Sequence, residues 1–125
     1  HKFARRMIQG EVLPLYGDGT TYRDYTHVAD IVSGIRAAMD YTREAHGIFN
    51  LGTGTPVTLD ELVKGLERAL GVEARREYLP QQPGDVPRTL ASIEKAKTTL
   101  EYNPTVGLDE GLQDFAEWVT TSTVV

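Results

Sequence analysis

The strongest constraint in this chain is the run Thr58-Leu59-Asp60-Glu61 and the thirteen-odd positions around it. A threonine hydroxyl and a glutamate carboxylate three residues apart can each satisfy a backbone N–H left free at a helix start. Leu59, Leu62, Val63, Leu66 and Leu70 then share one face at helical spacing. Gly71 stops the run where a left-handed residue is favoured. This helix is the best-defined element of an alternating pattern of short strands and helices, and the pattern predicts an α/β fold with about five helices.

The other elements follow from periodicity and punctuation. Lys2 to Gly10 reads as a short helix with Phe3, Met7 and Ile8 inward, and Val12 to Tyr16 as a strand. Gly17-Asp18-Gly19-Thr20 reads as a hairpin turn into a second strand, Tyr22 to His27. A helix from Ala29 to Tyr41 places Ile31, Ile35, Ala38 and Met39 in one stripe. Ile48 to Leu51 reads as a buried strand, Gly52 to Pro56 as a loop, and Glu73 to Leu79 as a strand. Pro80 to Pro87 is an irregular loop. Ser92 to Leu100 is a helix with Ile93, Ala96 and Leu100 inward, broken at Asn103-Pro104. The last helix runs from Leu108 to Val119 with Leu112, Phe115, Ala116 and Val119 inward, and the Thr-Ser-Thr tail is expected to fray. With no repeat or linker, residues 1–125 read as one domain.

Composition narrows the chemistry. Thirteen basic against eighteen acidic residues give a net charge of −5, which argues against nucleic acid as a partner. It leaves room for a small phosphorylated ligand held by one or two arginines. There is no cysteine, which rules out disulfides and thiolate metal sites and fits a reducing, cytoplasmic setting. No apolar run reaches the length of a membrane span, and the first residues do not read as a signal peptide.

Gly52-Thr53-Gly54 lies between a strand and a helix, as a dinucleotide fingerprint would. Its third glycine would fall at position 57, which is Val57, so a plain loop is the better reading. His1, His27 and His46 are not at metal-ligand spacing, and no metal site is expected. No tyrosine is followed four positions later by lysine, so the pair in which lysine lowers a tyrosine's pKa is absent. No catalytic residue is assigned. Arg23 and Arg88 each follow a turn or proline loop, where a guanidinium could grip phosphate. The bland alternative pairs each with a nearby acid, Asp24 or Asp85. Asp30 reads as a helix-start cap, His27 as a packed strand residue, and Phe49, Phe115 and Trp118 as core.

An ordered set of segments changes the weighing. Tyr16-Gly17-Asp18-Gly19-Thr20 is followed by Arg23-Asp24-Tyr25-Thr26-His27-Val28-Ala29-Asp30-Ile31. Then come Phe49-Asn50-Leu51-Gly52-Thr53-Gly54, Gln82-Pro83-Gly84-Asp85-Val86-Pro87-Arg88-Thr89 and Leu100-Glu101-Tyr102-Asn103-Pro104. The set resembles the second half of the extended short-chain dehydrogenases, the NAD-dependent epimerases and dehydratases. Within them it is most similar to UDP-glucose and UDP-glucuronate 4-epimerases. Gln82-Pro83, where UDP-glucose 4-epimerases often carry an arginine, leans towards the glucuronate branch.

The resemblance implies a carboxy-terminal, substrate-binding part whose Rossmann half, with NAD and the catalytic groups, lies outside the chain. No cofactor is expected on the chain itself. A UDP-sugar is the implied ligand. Arg23 would hold the diphosphate, Asp85 would approach the ribose hydroxyls, and Arg88 is a second diphosphate candidate. Leu15 and Tyr16 would meet the uracil through backbone and ring. Faces that pack on the missing Rossmann domain would stay uncovered, so self-association is expected. A dehydratase or decarboxylase on the same scaffold, a non-catalytic nucleotide-binding module and a ligand-free interaction domain remain the alternatives.

Overall fold

The computed structural model describes residues 1–121. In chain order the elements are α1 (Lys2–Ile8), β1 (Val12–Tyr16), β2 (Tyr22–Arg23), α2 (Val28–Met39), β3 (Val57–Thr58) and α3 (Leu59–Leu70). They are followed by β4 (Arg75–Leu79), α4 (Glu94–Leu100) and α5 (Leu108–Thr121). The expected fraying beyond Thr121 lies outside the described residues.

Helix α3 forms as its sequence predicts. Thr58 accepts from the Glu61 amide while the Glu61 carboxylate accepts from the Thr58 amide, and Gly71 takes φ 67° to end the helix. Its apolar face meets α1, β1 and α5 in a core containing Ala4, Met7, Leu13, Leu15, Val63, Leu66, Leu112 and Val119. Leu13, Leu15, Val63 and Val119 are fully buried, and each contributes about 1.5–3 kcal/mol relative to exposure. A second cluster gathers Ile93, Ala96, Leu100 and Tyr102 under α4.

Strand pairing departs from the hairpin reading. β1 runs parallel to β4, in register from Val12 opposite Arg75 to Tyr16 opposite Leu79. β2 runs antiparallel to β3, Tyr22 opposite Thr58 and Arg23 opposite Val57. The Gly17–Thr20 turn therefore carries the chain from one sheet to the other instead of closing a hairpin. Turn residues announce that the chain reverses, but not which strand it meets next. The second strand stops at Arg23 rather than His27, because Asp24 and His27 turn to loops and a helix end.

Other expectations also fail for identifiable reasons. His27 is the cap of α2, its Nδ1 accepting from the Ala29 amide at 3.3 Å. Asp30, read as a cap, is instead buried, and its carboxylate accepts from the amides of Thr105 at 2.9 Å and Val106 at 3.1 Å. On α2 the buried positions are Asp30 and Gly34. The supposed inward stripe is largely exposed, with Ile35 at 50% and Met39 at 78%. Ile48 to Leu51 joins no ladder among the described residues, and Ile48 is 82% exposed. An extended apolar segment becomes a strand only when a neighbour takes its backbone groups. Ile8 is exposed because α1 ends there, and Trp118 lies on the outer side of α5, 52% exposed. Phe49 and Phe115 are only partly buried, against the two clusters. No helix among the described residues is long and apolar enough to cross a membrane.

Candidate functional site

Parallel pairing makes β1 and β4 end side by side, so the loops that follow them leave from one edge. In open α/β sheets that edge, outside the carboxyl ends of the strands, is where ligands bind. The Gly17 amide donates to the Leu79 carbonyl at 2.9 Å, tying the start of one loop to the start of the other. The first amides of α3 fix the glycine turn from its other side: Leu59 donates to the Thr21 carbonyl at 2.9 Å and Asp60 to the Gly19 carbonyl at 3.1 Å. Within the turn, the Asp18 carboxyl lies below its ordinary pKa because the Thr20 hydroxyl and amide donate to it.

The strap of residues 85–91 returns along β2. The Tyr22 amide donates to the Pro87 carbonyl at 2.9 Å and the Thr89 amide to the Tyr22 carbonyl at 3.1 Å, a bridge that centres on Arg88. Arg23 donates to the Tyr22 carbonyl at 2.7 Å and forms a part-buried ion pair with Asp85. The Arg88 guanidinium sits 5.9 Å from the centre of the Tyr22 ring. Among the described ion pairs Arg88 has no carboxylate partner. Arg23 thus meets Asp85 and Tyr22 meets Arg88, across a separation of about sixty residues in sequence.

Tyr16 ends β1 at this edge and is 40% exposed. The Leu15 side chain is fully buried in the core, so any ligand contact there falls to its backbone. Tyr22 and Asp24 are the residues that sequence reasoning missed. Asp24 does not pair with Arg23. Its carboxylate accepts from the Thr53 amide at 2.9 Å, the Thr53 hydroxyl at 2.6 Å, the Gly54 amide at 3.1 Å and the Ala91 amide at 3.3 Å. Burial would raise its pKa, but the hydrogen bonds from Thr53, Gly54 and Ala91 outweigh that and hold it below the ordinary value. The amides of the Gly52–Gly54 loop, which a dinucleotide fingerprint would turn to pyrophosphate, are thus taken by a carboxylate. That loop therefore does not offer the Thr53 and Gly54 amides to a pyrophosphate. Glycine is required at position 52, where a Cβ would come 2.6 Å from the Ala91 Cβ and 2.8 Å from an Asp24 oxygen. The missing signal for Asp24 was that the amides of a Gly-Thr-Gly loop need an acceptor.

A separate cavity of about 500 Å3 is lined by Tyr25, His27, Val28, Phe115 and Trp118 among others, and none of Tyr16, Arg23, Asp85 and Arg88 borders it. Burial raises the Tyr25 hydroxyl pKa, against the opposing charge of Arg23.

Two small sheets, one parallel and one antiparallel, flanked by five helices among the described residues, define an α/β protein in which an arginine of β2 is paired with an aspartate of the 85–91 strap. The chain belongs to the GDP-mannose 4,6 dehydratase family, whose family model matches residues 1–115, and it corresponds to the carboxy-terminal part of extended short-chain dehydrogenases. It is similar to UDP-glucuronic acid 4-epimerase from Bacillus cereus, solved with UDP-glucuronic acid and NAD: 31% identity, TM-score 0.89, covering 96% of this chain and 38% of that one. It is also similar to UDP-glucose 4-epimerase from Thermotoga maritima, solved with UDP-glucose: 36% identity, TM-score 0.86, covering 95% and 38%. UDP-glucuronate 4-epimerase from Thermodesulfobacterium geofontis is 35% identical over 118 residues, 94% of this chain and 36% of that protein. The chain thus spans less than two-fifths of the length of these relatives.

Proposed function

We propose that residues 1–125 form the nucleotide-sugar binding part of an NAD-dependent UDP-sugar 4-epimerase. The observation that carries this reading is the Arg23–Asp85 ion pair beside an Arg88 that stacks on Tyr22, on the segments that follow β1 and β4 in the chain. The crystallised relatives bind UDP-sugars, and this chain shares their fold over nearly its whole length. In this reading Arg23 and Arg88 hold the diphosphate, Asp85 meets the ribose, and Tyr16 with the Leu15 backbone meets the uracil. NAD and the reacting groups belong to the part of the relatives that the chain does not span. Binding energy gathered at the nucleotide, remote from the reacting carbon, serves to position the sugar. The lack of cysteine agrees with a cytoplasmic setting.

Calorimetric titration of UDP into the chain and into Arg23→Ala tests the reading. Charge-assisted hydrogen bonds contribute about 1.5–3 kcal/mol, so the variant should bind roughly ten- to a hundredfold more weakly. Equal affinity in both proteins refutes the assignment. A 4,6-dehydratase is the second reading, favoured by the family description itself. A non-catalytic nucleotide-binding module would give the same titration, and it is separated by whether the whole polypeptide interconverts UDP-sugars.

We infer further that the chain by itself self-associates. Val28, Val32, Ile35 and Met39 recur along α2 at helical spacing, all exposed, with Ile48 beyond them. Such a stripe favours a second copy when nothing else covers it. Light scattering should show mass rising with concentration, and Ile35→Glu with Met39→Glu should suppress the rise. A monomer at every concentration overturns the inference.

A further inference from the structure

We propose that Asp24 is the positioning residue of the nucleotide site, a carboxylate that holds the 85–91 strap against β2 so that Asp85 stays paired with Arg23 and Arg88 stays over the Tyr22 ring. This rests on the reading of Arg23, Asp85 and Arg88 as ligand groups.

The geometry is specific to this residue. Asp24 directly follows Arg23, and its two oxygens accept from three places at once: Thr26 on its own segment, the Thr53–Gly54 loop, and Ala91 at the end of the strap. The strap is also fastened to β2 at Tyr22, through Pro87 and Thr89, and at Arg23, through Asp85. The Asp24–Ala91 bond fixes the end of the strap beyond Thr89, and losing it loosens the stretch that carries Arg88 and Thr89. The packing at Gly52 shows how closely the three segments are drawn in, since even a methyl group there would collide with both Ala91 and Asp24. A carboxylate suits the position because every group facing it is a donor. An amide in its place would turn an NH2 against at least one of those donors.

Asp24 touches no ligand in this scheme, so its effect on binding must pass through the strap, and that is measurable. UDP is titrated into the chain, Asp24→Asn, Arg88→Ala and the double variant, with amide hydrogen exchange followed at Thr89 and Ala91. Asp24→Asn should weaken UDP binding about tenfold and speed exchange at Thr89 and Ala91, while the amides of Leu13 and Leu66 keep their protection. The double variant should bind no more weakly than Asp24→Asn by more than about twofold, because Arg88 is already misplaced. Thr53→Val removes one donor from the same carboxylate and should act in the same direction, more mildly, if Asp24→Asn does not fold. Leu66→Ala, destabilised but remote from the strap, should leave affinity within about twofold. Additive losses in the double variant, or unchanged exchange at Thr89 and Ala91, overturn the role of Asp24 alone. If the parent chain does not bind UDP, the nucleotide reading falls, and the assignment of Asp24 falls with it.

Discussion

Removing the carboxylate of Asp30 should cost far more than removing a helix cap. Asp30 sits in the first turn of α2, where sequence suggests a cap worth about 1 kcal/mol, with Asn nearly equivalent to Asp. In the structure it is 4% exposed and accepts from the amides of Thr105 and Val106, seventy-five residues along the chain. Hydrogen bonds to a charged group contribute about 1.5–3 kcal/mol each, and every buried amide left unsatisfied costs about 1–3 kcal/mol. Asp30→Ala should therefore lose about 3–4 kcal/mol. Asp30→Asn keeps one acceptor oxygen but opposes an NH2 to the other amide, and should lose about 2 kcal/mol. Equilibrium urea unfolding followed by circular dichroism measures both. With a slope of about 1.5 kcal/mol/M, the alanine variant's midpoint should fall by roughly 2 M. An Asn variant within about 0.5 kcal/mol of the parent, with Ala near 1 kcal/mol, is what a cap predicts. That pair of results would refute the reasoning from the structure.

Three further outcomes are expected. Tyr102→Phe removes the buried hydroxyl that donates to the Gly52 carbonyl at 2.9 Å, and thermal unfolding should show about 1–2 kcal/mol lost. Gly52→Ala forces a methyl into the Ala91–Asp24 contact and should cost about 1–3 kcal/mol in the same assay. Asp24, whose pKa is depressed below its ordinary 3.8 in the folded chain, contributes stability that is present above that value and lost as pH falls through the folded pKa. The stability gap between the parent and Asp24→Asn should thus be constant near about pH 6 and shrink by about pH 3; a gap independent of pH contradicts the charged role.

What could be read from the sequence was local. Helix α3 carries its own start, face and stop within fourteen residues, so nothing distant was needed to place it. The residues of β1 and the inward positions of α4 and α5 were legible for the same reason. Pairing was not, because glycines at positions 17 and 19 mark a turn equally well for a hairpin and for a crossover between sheets. Asp30 and Asp24 were misjudged or overlooked because their donors lie far along the chain, and a carboxylate near a helix start looks the same whether it caps or staples. Apolar periodicity on α2 marked a stripe that lies largely exposed, because periodicity cannot say whether covering atoms belong to this chain. For the candidate site, turn chemistry singled out Arg23 and Arg88, and resemblance added Asp85. That Arg23 would meet Asp85 rather than Asp24 depended on the strap's path, which no spacing encodes.

The parallel pairing of β1 with β4 also sets an order of assembly. Val12 and Arg75 must meet before either strand has a neighbour, with α2 and α3 formed in between. Closing so long a loop adds little to the thermodynamic cost, which grows only with the logarithm of length, but it delays the encounter. Arg23 and Asp85 close a loop of similar length, 62 residues apart. During synthesis Arg23 leaves the ribosome well before Asp85, so the forming of their ion pair would report directly on the closing of this fold.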